Sequence, residues 1–239
     1  MTELQMSGLT RAELATYVRS QLQALVPLPR PEPELGLIEV HLDEALARLA
    51  HCIAAVRTWP AGHFDVLHSS QYCTFLYYLA NTIWRHERAQ AVCTRLFLLN
   101  KALNAIDCFY EIELPEVFFI GHSIGIVLTK ASYGNHLVLY QNVTVGKNHG
   151  VAPVLEDGVI LYPHAAVIGA CTIRRGSIIA QGTRVLGRDT EAGRIAFNSG
   201  TAGGNPPAFS EQQKWSYAAI ASFIAGVMPP SAMLGRSWL

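Results

Sequence analysis

Hydrophobic residues recur with one period in the first part of the chain and with another in the second part. In the first part, apolar residues recur at helical spacing, and a stripe of leucine and valine with a period near 3.6 runs over residues 11–25. Four prolines between residues 27 and 33 cannot continue that helix, because proline lacks an amide hydrogen and clashes with the preceding turn. This segment is predicted to be a linker. The pattern and the richness in Ala and Leu predict helices over residues 11–25, 38–57, 70–85 and 87–107.

From residue 114 onwards, the large apolar residues recur at every sixth position. The run without a slip is Leu155, Leu161, Val167, Ile173, Ile179 and Val185. A compact residue follows four positions after each of the first five, namely Val159, Ala165, Cys171, Ser177 and Thr183. The same spacing appears earlier in two pieces, Leu114, Ile120 and Ile126, then Tyr133, Leu139 and Val145.

A period of six fits neither a helix nor an ordinary strand, which repeat at 3.6 and 2 residues. It fits a solenoid in which three six-residue sides make one coil and each side sends an aliphatic residue into the axis. A buried sheet with accidental spacing is the alternative. The predicted architecture is α+β: an α-helical domain over 1–108, a solenoid over 109–187, and a C-terminal tail over 188–239 with a helix at Glu211–Val227.

Composition narrows the functional classes. The chain has 239 residues, 18 basic and 18 acidic side chains, and 15% charged residues. Disorder and nucleic-acid binding are therefore disfavoured, because the first needs more charge and the second a basic surface. No apolar stretch has the roughly 20 residues of a membrane span, and the N-terminus does not resemble a secretory signal. Five cysteines without a Cys-x-x-Cys pair suit reduced thiols, so we expect a cytoplasmic protein without membrane partners.

The hexads resemble the left-handed parallel β-helix of the hexapeptide-repeat acyltransferases, and most closely the serine O-acetyltransferase family. The shared features are a helical N-terminal part followed by Phe119-Ile-Gly-His-Ser-Ile-Gly-Ile-Val127, Gln141-Asn-Val-Thr-Val-Gly146 and Pro153-Val-Leu-Glu-Asp-Gly-Val159. The resemblance covers roughly residues 70–187. It implies acyl transfer from acetyl-CoA to an alcohol, with no metal, in a homotrimer or a dimer of trimers.

The resemblance also assigns roles to individual residues. His122 matches the catalytic histidine, and an imidazole can take the hydroxyl proton and return it to the departing thiolate. Glu113, or alternatively Glu111, is expected to orient His122. His149, in the loop that interrupts the repeat, and Asn142 are expected to contact the acceptor. The expected cofactor contacts are Gly146, Ala165, Gly169, Ala180 and, for the phosphates, Arg184.

Departures from the family leave the acceptor open. Gly121 stands where the serine enzymes usually have Asp, and Val151-Ala152 stands where they have Arg-His. Relatives in polysaccharide gene clusters share the Gly-His pair. The acceptor is therefore predicted to be serine or a serine-like amino acid, with a sugar hydroxyl as the alternative.

Other classes of function compete for the same residues. Gly121-His-Ser-Ile-Gly125 matches the nucleophile elbow of serine hydrolases, but a helix should follow it and the sequence predicts none. A zinc carbonic anhydrase on the same coil would need two histidines of the coil five residues apart, but the spacings from His122 through His164 are 14, 13 and 15. A solenoid without catalytic activity is the third alternative.

Overall fold

The computed structural model describes residues 4–28, 33–197 and 208–210. Its first part is helical, and two short strands, β1 (Gln5–Ser7) and β2 (His63–Asp65), pair in parallel beside the helices. A 3-10 turn over Pro33–Gly36 follows the proline-rich segment. The helices are α1 (Arg11–Leu25), α2 (Leu37–Val40), α3 (Leu42–Ala55), α4 (Ser69–Glu87) and α5 (Gln90–Asn104).

The first helix shows how local sequence sets its bounds. Thr10 caps α1 by accepting a hydrogen bond from the Glu13 amide, while the Glu13 carboxylate accepts one from the Thr10 amide at 2.6 Å. Leu14, Val18 and Leu22 are fully buried, so the predicted stripe is the face that meets the core. The helix ends at the predicted residue, before the prolines.

Helix α4 lies at the centre of the molecule and is buried on nearly every side. Two of its polar side chains bond to the segment that opens the solenoid. Tyr77 Oη donates to the Ile112 carbonyl at 2.7 Å, and Asn81 Nδ2 donates to the Tyr110 carbonyl at 2.9 Å. Helix α4 thus supplies hydrogen-bond partners to two backbone carbonyls of this segment.

A parallel β-solenoid of about five turns follows, which confirms the predicted fold class. The strands are β3 (Asp107–Cys108), β4 (Phe118–Ile120), β5 (Val127–Leu128), β6 (Ser132–Tyr133), β7 (Leu137–Leu139), β8 (Thr144–Gly146), β9 (Val154–Leu155), β10 (Ile160–Leu161), β11 (Ala166–Ile168), β12 (Thr172–Ile173), β13 (Ile178–Ile179), β14 (Arg184–Leu186), β15 (Ile195–Phe197) and β16 (Ala208–Ser210). One face carries β4, β7, β10, β13 and β15, a second carries β3, β5, β8, β11 and β14, and a third carries β6, β9 and β12.

The aliphatic residues that recur at every sixth position fill the axis of the solenoid. All six aliphatic positions from Leu155 to Val185 are at most 1% exposed, and the five compact companions are at most 5% exposed. Parallel pairing stacks equal positions of successive coils, as in Val145, Val167 and Val185. Each aliphatic side chain therefore packs against its counterparts above and below.

The corners of the coils need left-handed backbone, and most of them use glycine. Where glycine is missing, His136, Asn142 and His164 adopt φ values of 59°, 59° and 62°. L-residues with a side chain adopt this region at a cost of roughly 1–2 kcal/mol. These three polar residues are thus corner residues of the coil.

The solenoid continues past Gly187, where the hexad spacing predicts its end. Strand β15 pairs in parallel with β13, and β16 closes that sheet in antiparallel orientation. The predicted helix over Glu211–Val227 lies outside the described residues. Within the described residues, no helix combines the length and the apolar character needed to cross a membrane.

Candidate active site

His122 lies where the solenoid meets the helical part, two residues after β4. Its exposed imidazole borders a cleft of about 320 Å³. The other lining residues are Thr58, Trp59, His68, Ser69, Ser70, Phe119 and Gly121. Ser70, at the start of α4, donates a hydrogen bond from Oγ to the Gly121 carbonyl at 3.2 Å and so ties the residue before His122 to the helix. The Gly121 amide donates to the Leu139 carbonyl at 2.8 Å, so the backbone before His122 is held by the solenoid and by the helical part.

An aromatic row runs along this side of the solenoid. Trp59 lies edge-on to Phe119 with ring centroids 5.5 Å apart, Phe119 lies edge-on to Tyr140 at 6.4 Å, and Tyr140 stacks on Tyr162 at 5.3 Å. Burial raises the pKa of both Tyr140 and Tyr162, which keeps their hydroxyls protonated. This face offers flat apolar surfaces with neutral polar edges.

Tyr140 gives a steric reason for Gly121. A Cβ added at Gly121 would lie 2.6 Å from Cδ1 and from Cε1 of the Tyr140 ring. Any side chain at position 121, including the aspartate of the serine enzymes, would require Tyr140 to move. The departure at position 121 and the tyrosine at position 140 therefore form one local arrangement.

The two candidate acids each form an ion pair with a basic side chain. Glu113 pairs with Arg85 at 3.2 Å, in the last turn of α4, whereas His122 shares its cleft with Ser70 in the first turn. Fifteen residues separate those two positions, or roughly 22 Å along the helix. Glu111 pairs with Lys130 at 3.3 Å. Both acids are thus paired with basic side chains, and an orienting role toward His122 stays a prediction.

The hydrolase alternative finds no support in the local geometry. Ser123 is only 7% exposed, and the residue that follows Gly125 leads into strand β5 and not into a helix. A nucleophile elbow instead needs an exposed serine on a turn from strand to helix.

The interrupting loop is a tight turn that presents His149. Asn148 and Val151 exchange two backbone hydrogen bonds of 3.0 Å, and the two residues between them, His149 and Gly150, have φ values of 48° and 81°. Two positive φ values are the signature of a type I′ turn. His149 is exposed at its tip. Asn142, the other expected acceptor contact, occupies a coil corner with Nδ2 3.4 Å from His164 Nε2.

The expected cofactor contacts fall in different places. Gly146 and Gly169 lie next to each other at one corner, where the Gly169 amide donates to the Gly146 carbonyl at 3.0 Å. Ala180 lies at another corner, and Arg184 is exposed on β14. Ala165 is fully buried in the axis, which excludes its side chain from a cofactor surface.

The cleft shows residues that the sequence pattern does not single out. Trp59, His68 and Ser70 come from the loop before α4 and from its first turn, more than 50 residues from His122. They carry no repeat and no spacing signal, because their role depends on how α4 packs on the solenoid. Among the described residues, the lining includes no carboxylate and no lysine or arginine.

Comparison with known proteins supports the resemblance predicted from the hexads. A serine acetyltransferase of Bacillus licheniformis is 32% identical to this chain in an alignment of 122 residues that covers 44% of this chain and 55% of that protein. The chain thus spans about half the length of this curated relative. No family model matches the chain.

Solved structures share the fold at low sequence identity. Soybean serine acetyltransferase complexed with serine has a TM-score of 0.60 and 17% identity, with 84% of this chain and 94% of that chain covered. Serine acetyltransferase of Brucella abortus in complex with coenzyme A has a TM-score of 0.59 and 16% identity, with 86% and 94% covered. The helical part and the solenoid therefore both have counterparts in these proteins.

Proposed function

We propose that the chain is an O-acetyltransferase that moves the acetyl group of acetyl-CoA to the hydroxyl of serine or a serine-like amino acid. The observation that carries the proposal is the exposed imidazole of His122 beside a cleft, in a chain similar to serine acetyltransferases. The complexes of such enzymes with serine and with coenzyme A support the two substrates.

In this proposal, His122 acts as the general base. One ring nitrogen takes the proton of the acceptor hydroxyl while the oxygen attacks the thioester carbonyl. The tetrahedral intermediate then collapses, the carbon–sulfur bond breaks, and the imidazolium returns the proton to the departing thiolate. The products are an acetyl ester and free coenzyme A, and no acyl-enzyme forms.

Assembly and compartment are part of the proposal. Apolar side chains such as Val127, Val154 and Leu186 are at least 41% exposed on the solenoid, and burying them would favour a homotrimer or a dimer of trimers. His149 and the corner glycines Gly146 and Gly169 could then serve a site shared between neighbours. All five cysteines are free, which suits a reducing cytoplasm.

The proposal is tested by measuring thiol release from acetyl-CoA with the full chain and serine. His122→Ala should lower turnover by about two to four orders of magnitude, the usual contribution of a general base. The matched control is Ser123→Ala, which removes a neighbouring hydroxyl and should remain active. A folded Ser123→Ala protein without activity, or a fully active His122→Ala protein, would contradict the mechanism.

The aromatic cleft favours a second candidate acceptor, a sugar hydroxyl. The lining of the cleft includes Trp59, Phe119 and the hydroxyl residues Thr58, Ser69 and Ser70, and among the described residues it has no carboxylate, lysine or arginine to pair with the ammonium and carboxylate of serine. Sugars present apolar ring faces and hydroxyls, which match such a lining. Turnover with a sugar and inertness toward all amino acids in the same assay would select this candidate.

A further inference from the structure

A cluster of histidine and glutamate lies in the helical part, away from the cleft of His122. His41 joins α2 to α3, Glu44 is in the first turn of α3, and His86 is in the last turn of α4. One ligand atom from each of the three residues lies within 4.8 Å of the other two. Three residues distant in sequence thus meet at the junction of two helices.

The contacts within the cluster pair each imidazole with a carboxylate. His86 Nε2 lies 2.8 Å from Glu44 Oε2, and His41 Nε2 lies 3.0 Å from Oε1 of the adjacent Glu87. The two imidazole rings stack with centroids 5.1 Å apart and an angle of 18° between the planes. With neutral imidazoles, the four side chains carry two negative charges, so a divalent cation would balance them.

We propose that His41, Glu44 and His86 form a binding site for a zinc-type divalent cation. Two imidazole nitrogens and one carboxylate oxygen are a usual ligand set for Zn²⁺, whereas Mg²⁺ and Ca²⁺ prefer oxygen ligands alone. A carboxylate on one ring nitrogen commonly orients a histidine that binds metal through the other, and Glu87, 3.0 Å from His41 Nε2, would do so with the ion on Nδ1.

The present spacing needs only small side-chain movements to close around an ion. Ligand atoms about 2.1 Å from a tetrahedral zinc are roughly 3.4 Å apart, somewhat closer than the 4.8 Å span of the cluster. Glu44 and His86 have side chains 46% and 49% exposed, so both can rotate, while His41 is 10% exposed and forms the fixed base.

A cavity beside the cluster gives a hydrated ion access to the site, and the position of the cluster between two helices means that a bound ion would stabilise the helical part. A cavity of about 480 Å³ adjoins the cluster, and its lining includes Glu44 and Arg85. A bound ion would join the start of α3 to the end of α4, the helix that covers the first coil. The site would therefore stabilise the helical part without taking part in acyl transfer.

The test is a titration of the full chain, freed of metal and without a polyhistidine tag, with Co²⁺ as a spectroscopic substitute for Zn²⁺. We expect one Co²⁺ per chain, visible absorption typical of tetrahedral nitrogen and oxygen ligands, and displacement by Zn²⁺. Binding should stabilise the protein, which a rise in unfolding temperature with Zn²⁺ but not with Mg²⁺ would show.

Two variants and one control test whether the ion binds at these residues. Glu44→Gln and His86→Ala should each weaken Co²⁺ binding by about 10-fold to 100-fold or more, with unchanged circular dichroism. His51→Ala removes another exposed histidine of α3 and should bind like the unmodified chain.

Three results would overturn the proposal. The first is an absence of saturable binding, which would mean that the cluster consists of two histidine–glutamate pairs and is not a metal site. The second is unchanged binding by both variants. The third is an intense sulfur-to-cobalt band, which would place the ion on a cysteine.

Discussion

In the helical part, α4 is surrounded by other elements, whereas in the solenoid each coil meets the coil above and the coil below. The helix reaches its neighbours with varied side chains, including the buried hydroxyl of Tyr77 and the buried amide of Asn81. The coil repeats one aliphatic and one compact residue per side. A repeating coil cannot satisfy its own first edge, and the helical part supplies the missing partners. The difference therefore makes the helical part the cap of the solenoid.

The largest expected effect comes from a glycine at which one coil touches the next. A Cβ at Gly134 would lie 2.4 Å from the backbone nitrogen of Asp157 and 2.4 Å from the carbonyl carbon of Glu156. Backbone atoms of the neighbouring coil cannot move aside singly, so Gly134→Ala should lower the free energy of unfolding by about 3 kcal/mol or more. Urea denaturation measures this change.

Two control glycines sharpen the test of coil stacking. Gly36, in the helical part, has no atom within 4 Å of an added Cβ, and Gly146 would meet only the Ile168 side chain, at 3.5 Å. Substitution of either by alanine should change stability by less than about 1 kcal/mol. If Gly134→Ala behaves like these controls, the coils do not stack as closely as described.

An intermediate effect is expected where the helical part caps the solenoid. Tyr77 Oη donates to the Ile112 carbonyl at 2.7 Å and accepts from the Leu114 amide at 2.8 Å. Burial raises the pKa of Tyr77, so the hydroxyl remains a donor at ordinary pH. Tyr77→Phe leaves two buried backbone groups without that partner and should cost about 1 to 3 kcal/mol.

The matched control for Tyr77 is a tyrosine that packs within the helical part. Tyr17 lies edge-on to Tyr72 with ring centroids 5.9 Å apart. Tyr17→Phe keeps that ring contact and should change the free energy of unfolding by less than about 0.5 kcal/mol. Equal effects of the two substitutions in urea denaturation would argue against a capping role for α4.

The same contrast explains what the sequence can predict. The axis from Leu155 to Val185 follows from a count of positions, because every coil imposes the same environment on its sixth residue. The bounds of α1 follow from Thr10 and the prolines, which act locally. Neither rule predicts the contact of Ser70 with Gly121 or that of Tyr140 with Gly121. Each of these contacts joins two segments that are distant in sequence, and a local pattern carries no information about how such segments pack.

The surroundings of Glu113 are a further feature that local sequence patterns do not predict. Its position before a proline and the first coil fits the family pattern, but a short segment and the packing of α4 bring it to Arg85. His122 is predictable because it sits in a repeated coil with a recognisable motif. The cleft around it depends on Trp59 and Ser70, which lie in the helical part and carry no repeat.

The smallest expected effect concerns left-handed backbone in both parts of the molecule. Ala105 ends α5 with φ 51°, and His164 turns a coil corner with φ 62°. Glycine removes the roughly 1–2 kcal/mol cost of a side chain in this region but loses part of the gain to unfolded-chain entropy. Ala105→Gly should raise the free energy of unfolding by about 1 kcal/mol, as measured by urea denaturation.

His164→Gly should gain less, because it also gives up the 3.4 Å contact with Asn142. The control is Ala102→Gly within α5, where the backbone is helical and glycine relieves no left-handed strain. This substitution should lower the free energy of unfolding by about 1 kcal/mol. If His164→Gly instead destabilises the protein, the histidine contributes more to the corner than its backbone costs. The polar corner residues would then hold the coil by side-chain contacts as well as by backbone pairing, which would make the solenoid less uniform than its repeat.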